Sequence, residues 1–415
     1  MASVFSIIFY VLIFMSLYVQ VFFLITYLEN KNKIVTRKGS IKLSVYPAVT
    51  VIVPCWNEEN TISKTVHSLL EMNYPKDKLQ IFLIDDGSTD NTWEVIKTFE
   101  QYSNVKIFHK ENGGKHTALN LGLLHLETDF LGCLDADSVA DKESLVRIMS
   151  YFERDADTMA VAPSIIANNP NTIIQQAQKA EYFMAVYIKK MLAFLGAIHV
   201  TPGPLTIFRR KVFDDLGPYR HAHNTEDMEI AYRMQKNHYK IEQCNDAYVY
   251  TNTPPTVYKL YKQRLRWIYG FLNNTLDYKN VILKKKYGNF SMFTLPSGII
   301  SVCAASYIFF KGIFMISDFL YTKFVQIQTV GINYSFGSLP KFDPFFVNTH
   351  FFIFITIFLY ALVIFSMILG RKMILGKWTF SRDMIYFFFI FSVIAPIWLL
   401  KAIYNTVTYK KPSWR

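Results

Sequence analysis

Cysteine is scarce in this chain: four among 415 residues, at positions 55, 133, 244 and 303, with no C-x-x-C spacing. Widely separated thiols among apolar neighbours exclude a disulfide framework or a four-cysteine zinc site, and they read as reduced and buried. Internal repeats and low-complexity tracts are missing too. No basic–aromatic recognition motif is present, so nucleic acid is not the expected partner despite a net charge of +12. That charge suits a membrane surface and phosphate-bearing substrates instead. Long apolar runs are missing from positions 29 to 289, which marks that stretch as a soluble domain.

Outside that stretch apolar runs dominate. Residues 3–28 carry no charge until Glu29, long enough at 1.5 Å per residue to span a bilayer. Without a basic start or small-residue cleavage site they are not a signal peptide. Three more candidate spans fall at about 291–316, 345–369 and 384–404, with Pro296 and Pro396 expected to kink or break two of them. Basic residues collect at both ends of the soluble part: Lys31, Lys33, Arg37, Lys38 and Lys42, then Lys284, Lys285 and Lys286. The positive-inside rule then puts that part in the cytoplasm of a multi-pass plasma-membrane protein. The expected division is a membrane helix over 1–30, a soluble domain over 31–255, interfacial amphipathic helices over 256–290 and about three spans over 291–415.

Within the soluble part, 48–54 is a continuous apolar run of strand length, followed by a polar turn and a helical pattern over 61–72. Strands follow at 79–84, 105–108 and 131–134, with helices at 91–102 and 115–125 between them. That alternation predicts an α/β fold with a mostly parallel sheet and helices on both faces, where ligands sit beyond the carboxyl ends of the strands. Three such ends carry acids or amides: Asn57 and Glu58, Asp85 and Asp86, and Asp135 and Asp137. A lone D-x-D is only a turn. Beside the other two ends, Asp135 and Asp137 become candidate ligands for a Mg²⁺ or Mn²⁺ ion already bound to a diphosphate. In 85–88, Asp or Ser can cap the next helix, as can Asp90, while one of the paired acids can take a ribose or a uracil. Lys115 follows Gly113 and Gly114 at a helix start, where free N–H groups and an ammonium suit phosphate.

Further on, 201–204 (T-P-G-P, with Gly203 at a candidate substrate contact) is a rigid turn before a strand at 205–209. Thr225-Glu226-Asp227 opens a helix over 228–236. Thr225 is the expected cap, and the two acids either merely favour the helix start or include a general base. Residues 257–276 form an amphipathic helix carrying Gln263-Arg264-Leu265-Arg266-Trp267, with Arg264 and Trp267 on one face. Trp and Arg can anchor such a helix in the membrane interface, or clamp a diphosphate and stack on a sugar.

With D-D-G-S (85–88), D-A-D (135–137), T-E-D (225–227) and Q-R-L-R-W (263–267) in this order, the chain resembles the processive, membrane-embedded family-2 glycosyltransferases. These make cellulose, chitin, hyaluronan or poly-N-acetylglucosamine. The resemblance implies a GT-A-like fold inserted between membrane helices. It implies that Asp86 and Asp85 meet the nucleoside and that Lys115, Asp135 and Asp137 meet the diphosphate and metal. Asp227, with Glu226 beside it, would be the base, and Gln263, Arg264, Arg266 and Trp267 would hold leaving group and acceptor. Implied partners are a UDP-sugar, a growing polysaccharide, the bilayer and a small membrane accessory subunit. One N-terminal helix, a short chain and T-E-D favour the poly-N-acetylglucosamine type and UDP-GlcNAc. Hyaluronan-, chitin- and cellulose-type synthesis stays open, as does single transfer to a lipid carrier. A transport protein whose soluble domain only binds nucleotide fits the three acidic strand ends poorly. Four spans would put Lys410, Lys411, Trp414 and Arg415 outside, whereas relatives keep a Trp- and Arg-containing tail inside. Either the last segment is re-entrant at Pro396 or an interfacial segment has been miscounted.

Overall fold

The structure, a computed structural model, describes residues 4–34, 39, 41–331 and 351–411. Of the positions read above, Arg37, Lys38, the start of the 345–369 segment, Trp414 and Arg415 lie outside the described residues.

The chain divides into two compact units, Met1–Phe22 with Ser297–Ile364, and Phe23–Pro296 with Phe365–Arg415. The first unit contains parts of α1 (Val4–Asn30), α10 (Leu295–Val330) and α11 (Phe351–Leu375). Its large apolar side chains, Phe14 and Phe314 among them, face outward as a lipid-facing surface requires. Among the described residues four helices are long and apolar enough to cross a membrane, the fourth being α12 (Arg382–Val407). Pro296 lies within a continuous helical segment. It follows the π-helical turn Phe290–Thr294 that runs into α10, so the irregularity is a widened turn ahead of the proline. Pro396 does lie inside α12.

The second unit is built on an eight-stranded sheet of order β3-β2-β1-β4-β7-β6-β8-β5. β1 (Val49–Cys55), β2 (Leu79–Asp86), β3 (Val105–Lys110) and β4 (Phe130–Cys133) are parallel to one another. β1 is buried at every position, which explains its unbroken apolar run. β7 (Ile207–Arg209) runs antiparallel to β4 and to β6 (Thr158–Ala167). β8 (Lys240–Thr251) is parallel to β6, and β5 (Ser138–Ala140) closes the edge antiparallel to β8. The carboxyl ends of β1, β2, β4 and β6 therefore share one edge. Helices α2 (Ile62–Leu70), α3 (Thr92–Lys97) and α4 (Lys115–Leu124) form at the expected places, while α5 (Ser144–Arg154) joins β5 to β6 and α7 (Lys211–Leu216) follows β7.

Two long helices complete this unit, α6 (Ile173–Phe194) and α9 (Val257–Asp277). The α11–α12 corner sits on α6: a Cβ on Gly370 would lie 1.8 Å from the Phe183 carbonyl oxygen, and Arg371 stacks on the Phe183 ring while pairing with Asp383 at 2.8 Å. Near the other end of α12, Asn273 of α9 donates to Thr406 at 3.1 Å.

Candidate functional site

The D-D-G-S acids hold the loop in place. Asp85 is fully buried and meets His109 Nδ1 at 2.7 Å. Asp86, also buried, accepts from Lys110 Nζ at 2.6 Å and from the backbone N–H groups of Gly113 (3.1 Å) and Gly114 (2.8 Å). The glycine N–H groups that the sequence left free for phosphate are thus taken by Asp86. Gly114 adopts φ +89°, a conformation open to glycine, and turns the chain into α4. Asp86 therefore fixes the position of the next residue, Lys115. Asp90 caps the α3 start, accepting from Thr92 N at 3.0 Å.

Lys115 joins the D-A-D and T-E-D motifs. Its Nζ lies 2.6 Å from Asp135 Oδ1 and 3.3 Å from Glu226 Oε1. Burial opposes its charge, but Asp135 and Glu226 outweigh that and raise its pKa well above the ordinary lysine value. Gly203 makes the junction possible, since a Cβ there would lie 2.6 Å from Lys115 Nζ and 2.9 Å from Asp135 Oδ1. A cavity of about 10 Å³, room for one water, is lined by Lys115, Gly203, Tyr219, Glu226 and Asp227 among others.

Asp135 and Asp137 sit in the turn between β4 and β5. Asp137 is pushed up to about 7, by burial first and then by Asp135 and Glu58, with the Ser138 hydroxyl donating to it at 3.2 Å. Crowded carboxylates with so little donor support fit a divalent cation, which would relieve their repulsion. Among the described residues no third His, Cys, Asp or Glu joins them as a metal-binding group. Other ligands would have to be substrate oxygens or water.

Asp227 opens α8 (Glu226–Lys236) from a strained approach in which Ala222, His223 and Asn224 all have positive φ. Its carbonyl is held by Thr201 through both N–H (3.1 Å) and hydroxyl (2.8 Å). Its carboxyl is pushed up to about 6, by burial first and then by Glu226, against the pull of Lys115 and Arg266. Thr225 is not the side-chain cap expected: its hydroxyl donates to Ala222 O at 2.9 Å and accepts from Asn274 Nδ2 at 2.8 Å. Glu226 is turned to Lys115.

Q-R-L-R-W lies on α9, and Arg264 and Trp267 share a face as read, the guanidinium 4.0 Å from the indole centroid. Arg264 is buried; it donates to Gln263 Oε1 at 2.8 Å and pairs with Glu181 of α6. Arg266 holds the approach to Asp227, donating to Asn224 O at 2.8 Å. The sequence reading missed Glu181, Gly270 and Asn274. A Cβ on Gly270 would fall 2.3 Å from Thr225 Oγ1, so this glycine lets α9 press on T-E-D. Lys189 of α6 was missed as well. Burial lowers its pKa to about 8 against the attraction of Asp227.

A family model described as "Glycosyl transferase family 2" matches residues 50–217. The poly-beta-1,6-N-acetyl-D-glucosamine synthase of Staphylococcus epidermidis is 30% identical over 284 residues, 66% of this chain and 68% of its own length. The synthase of the same name from Staphylococcus aureus strain MSSA476 is 30% identical over 261 residues, 62% of this chain; the match spans 63% of that relative's length. Among solved structures, a mannosyltransferase from Pyrobaculum calidifontis in complex with GDP-Man and Mn²⁺ superposes with a TM-score of 0.57. It covers 96% of this chain and 99% of its own at 16% identity, a likeness of fold.

Proposed function

Because this chain belongs to glycosyl transferase family 2, we propose that it polymerises a UDP-sugar, UDP-GlcNAc in the first instance, into an exopolysaccharide by inverting β-transfer at the membrane. The poly-N-acetylglucosamine reading draws on the names of its 30%-identical relatives. The observation that carries the reading is Lys115, which bridges Asp135 and Glu226 and so brings the D-A-D turn next to Asp227.

The reaction breaks the C1–O bond to the diphosphate and forms a new bond from an acceptor hydroxyl to C1. Asp227, held half-buried by Thr201, takes the proton the hydroxyl loses. Lys115 is positioned to meet the charge that gathers on the departing nucleoside diphosphate. Asp135 and Asp137 would hold Mg²⁺ or Mn²⁺, which supplies Lewis-acid neutralisation of the diphosphate. Trp267, stacked under Arg264, offers a flat face to a sugar ring. No side chain needs to form a covalent intermediate. The cytoplasmic side, the plasma membrane and passage of the polymer through the membrane helices belong to the same proposal.

The test is chelation combined with substitution. Excess EDTA is expected to abolish transfer and added Mg²⁺ or Mn²⁺ to restore it. Asp137→Asn is expected to lose the metal response while keeping the thermal transition. Full transfer in EDTA would overturn the assignment of the D-A-D turn.

A further inference from the structure

A second cavity, of about 520 Å³, lies away from the Lys115 junction. It occupies the space between the carboxyl ends of β6 and β8, the N-terminal half of α6 and the last turn of α11. Its polar wall is Lys179, Tyr250, Asn168 and Asn169; its apolar wall is Ile374 and Leu375. Lys179 is half-buried and makes no ion pair or hydrogen bond among the described residues. Tyr248 ties the two walls together, donating its hydroxyl to Ile374 O at 3.2 Å.

The place of this cavity along the chain identifies its occupant. α11 is an apolar helix of spanning length, and Ile374 and Leu375 are its final residues. Lys372, in the last turn of α11, lies 4.1 Å from the ring centroid of the exposed Trp378 just beyond the helix, and Lys377 adds a further positive charge. Trp beside Lys at a span's end marks the depth at which lipid headgroups lie. A half-buried ammonium without a counter-ion, facing amides and a phenol across from apolar side chains, matches an anionic phosphodiester joined to a glycerol backbone. We propose that this cavity binds the headgroup of an anionic glycerophospholipid, with Lys179 on the phosphate and Ile374 and Leu375 against the glycerol and first methylenes. Such a lipid would pin α6, which carries Glu181 and Lys189, to the end of a membrane helix.

The test is a binding measurement, so its result is separate from the success or failure of sugar transfer. The full chain is purified, stripped of lipid in detergent, and titrated with phosphatidylglycerol or phosphatidylcholine, with bound lipid counted by native mass spectrometry. The expected result is one phosphatidylglycerol retained in preference to phosphatidylcholine. Lys179→Glu should weaken it roughly tenfold while Lys179→Arg keeps it, both with wild-type melting. Lys179→Ala, which adds no repulsive charge, should weaken it by a smaller factor. Equal binding of the two lipids, or unchanged phosphatidylglycerol binding by Lys179→Glu, would overturn the proposal. So would complete displacement by equimolar inorganic phosphate, which would make this a small-anion site.

Discussion

Asp227 combines two properties that rarely coincide at a mere helix start: a carboxyl raised to about 6 and a backbone clamped by Thr201. A base must be deprotonated to act, so kcat/KM should climb as pH rises through about 6 and level off above 7. Its folded pKa stands above the ordinary carboxyl value, so folding favours the protonated form. That contribution is present below about pH 4 and lost as pH rises through about 6. Asp227→Asn should therefore melt no lower than wild type at pH 8, bind UDP normally, and turn over roughly 10²-fold more slowly or worse. Near-normal turnover in this variant would leave Asp227 as a cap alone. Glu181 is a positioning residue of a different kind. Removing its charge as Glu181→Gln leaves Arg264 buried without a counter-charge, which should lower stability by roughly 3 kcal/mol. It should also raise the acceptor KM more than it changes UDP binding, because Trp267 leans on Arg264.

At the scale of elements, α9 and α8 work as a pair joined through Gly270, Asn274 and Thr225. Gly270→Val should push α9 off T-E-D and cost about 1–3 kcal/mol in overpacking, with activity falling further than melting explains. The parallel strands β1 and β2 were legible because burial on both faces leaves an unbroken apolar run. The motif residues were legible as acids at strand ends and glycines before a helix. Elements α6, β6 and β8 were not, since α6 mixes glutamines, lysines and tyrosines and takes its meaning from its partners. Glu181 is one amid many polar residues until α9, 83 positions later, brings Arg264 to it. The partners of Asp86 and Arg264 within the fold were hidden for a related reason: sequence shows a charge but not its neighbours.

For the whole molecule, α12 is the element whose direction matters most. Its start, at Asp383, is tied to Arg371 over Phe183, and Thr406 near its end is tied to Asn273. Those ties are roughly 35 Å apart along the helix. A helix leaving the domain through a bilayer could not keep both. With both ties kept in the membrane-bound protein, Lys411 is predicted to lie on the side of the catalytic domain. A green fluorescent protein fused after Lys411 should fluoresce in cells, while an alkaline phosphatase fused there should be inactive; the reverse pair of results would make α12 a span.

The chemistry of the whole molecule meets its most direct test in the size of its product. Purified protein in liposomes with Mg²⁺ would be given radiolabelled UDP-GlcNAc, UDP-Glc or UDP-GlcA, singly. High-molecular-weight, water-soluble polymer formed from UDP-GlcNAc, and lost in Asp227→Asn, is the expected outcome. Label appearing only in a chloroform-soluble glycolipid, or no transfer from any UDP-sugar, would contradict it.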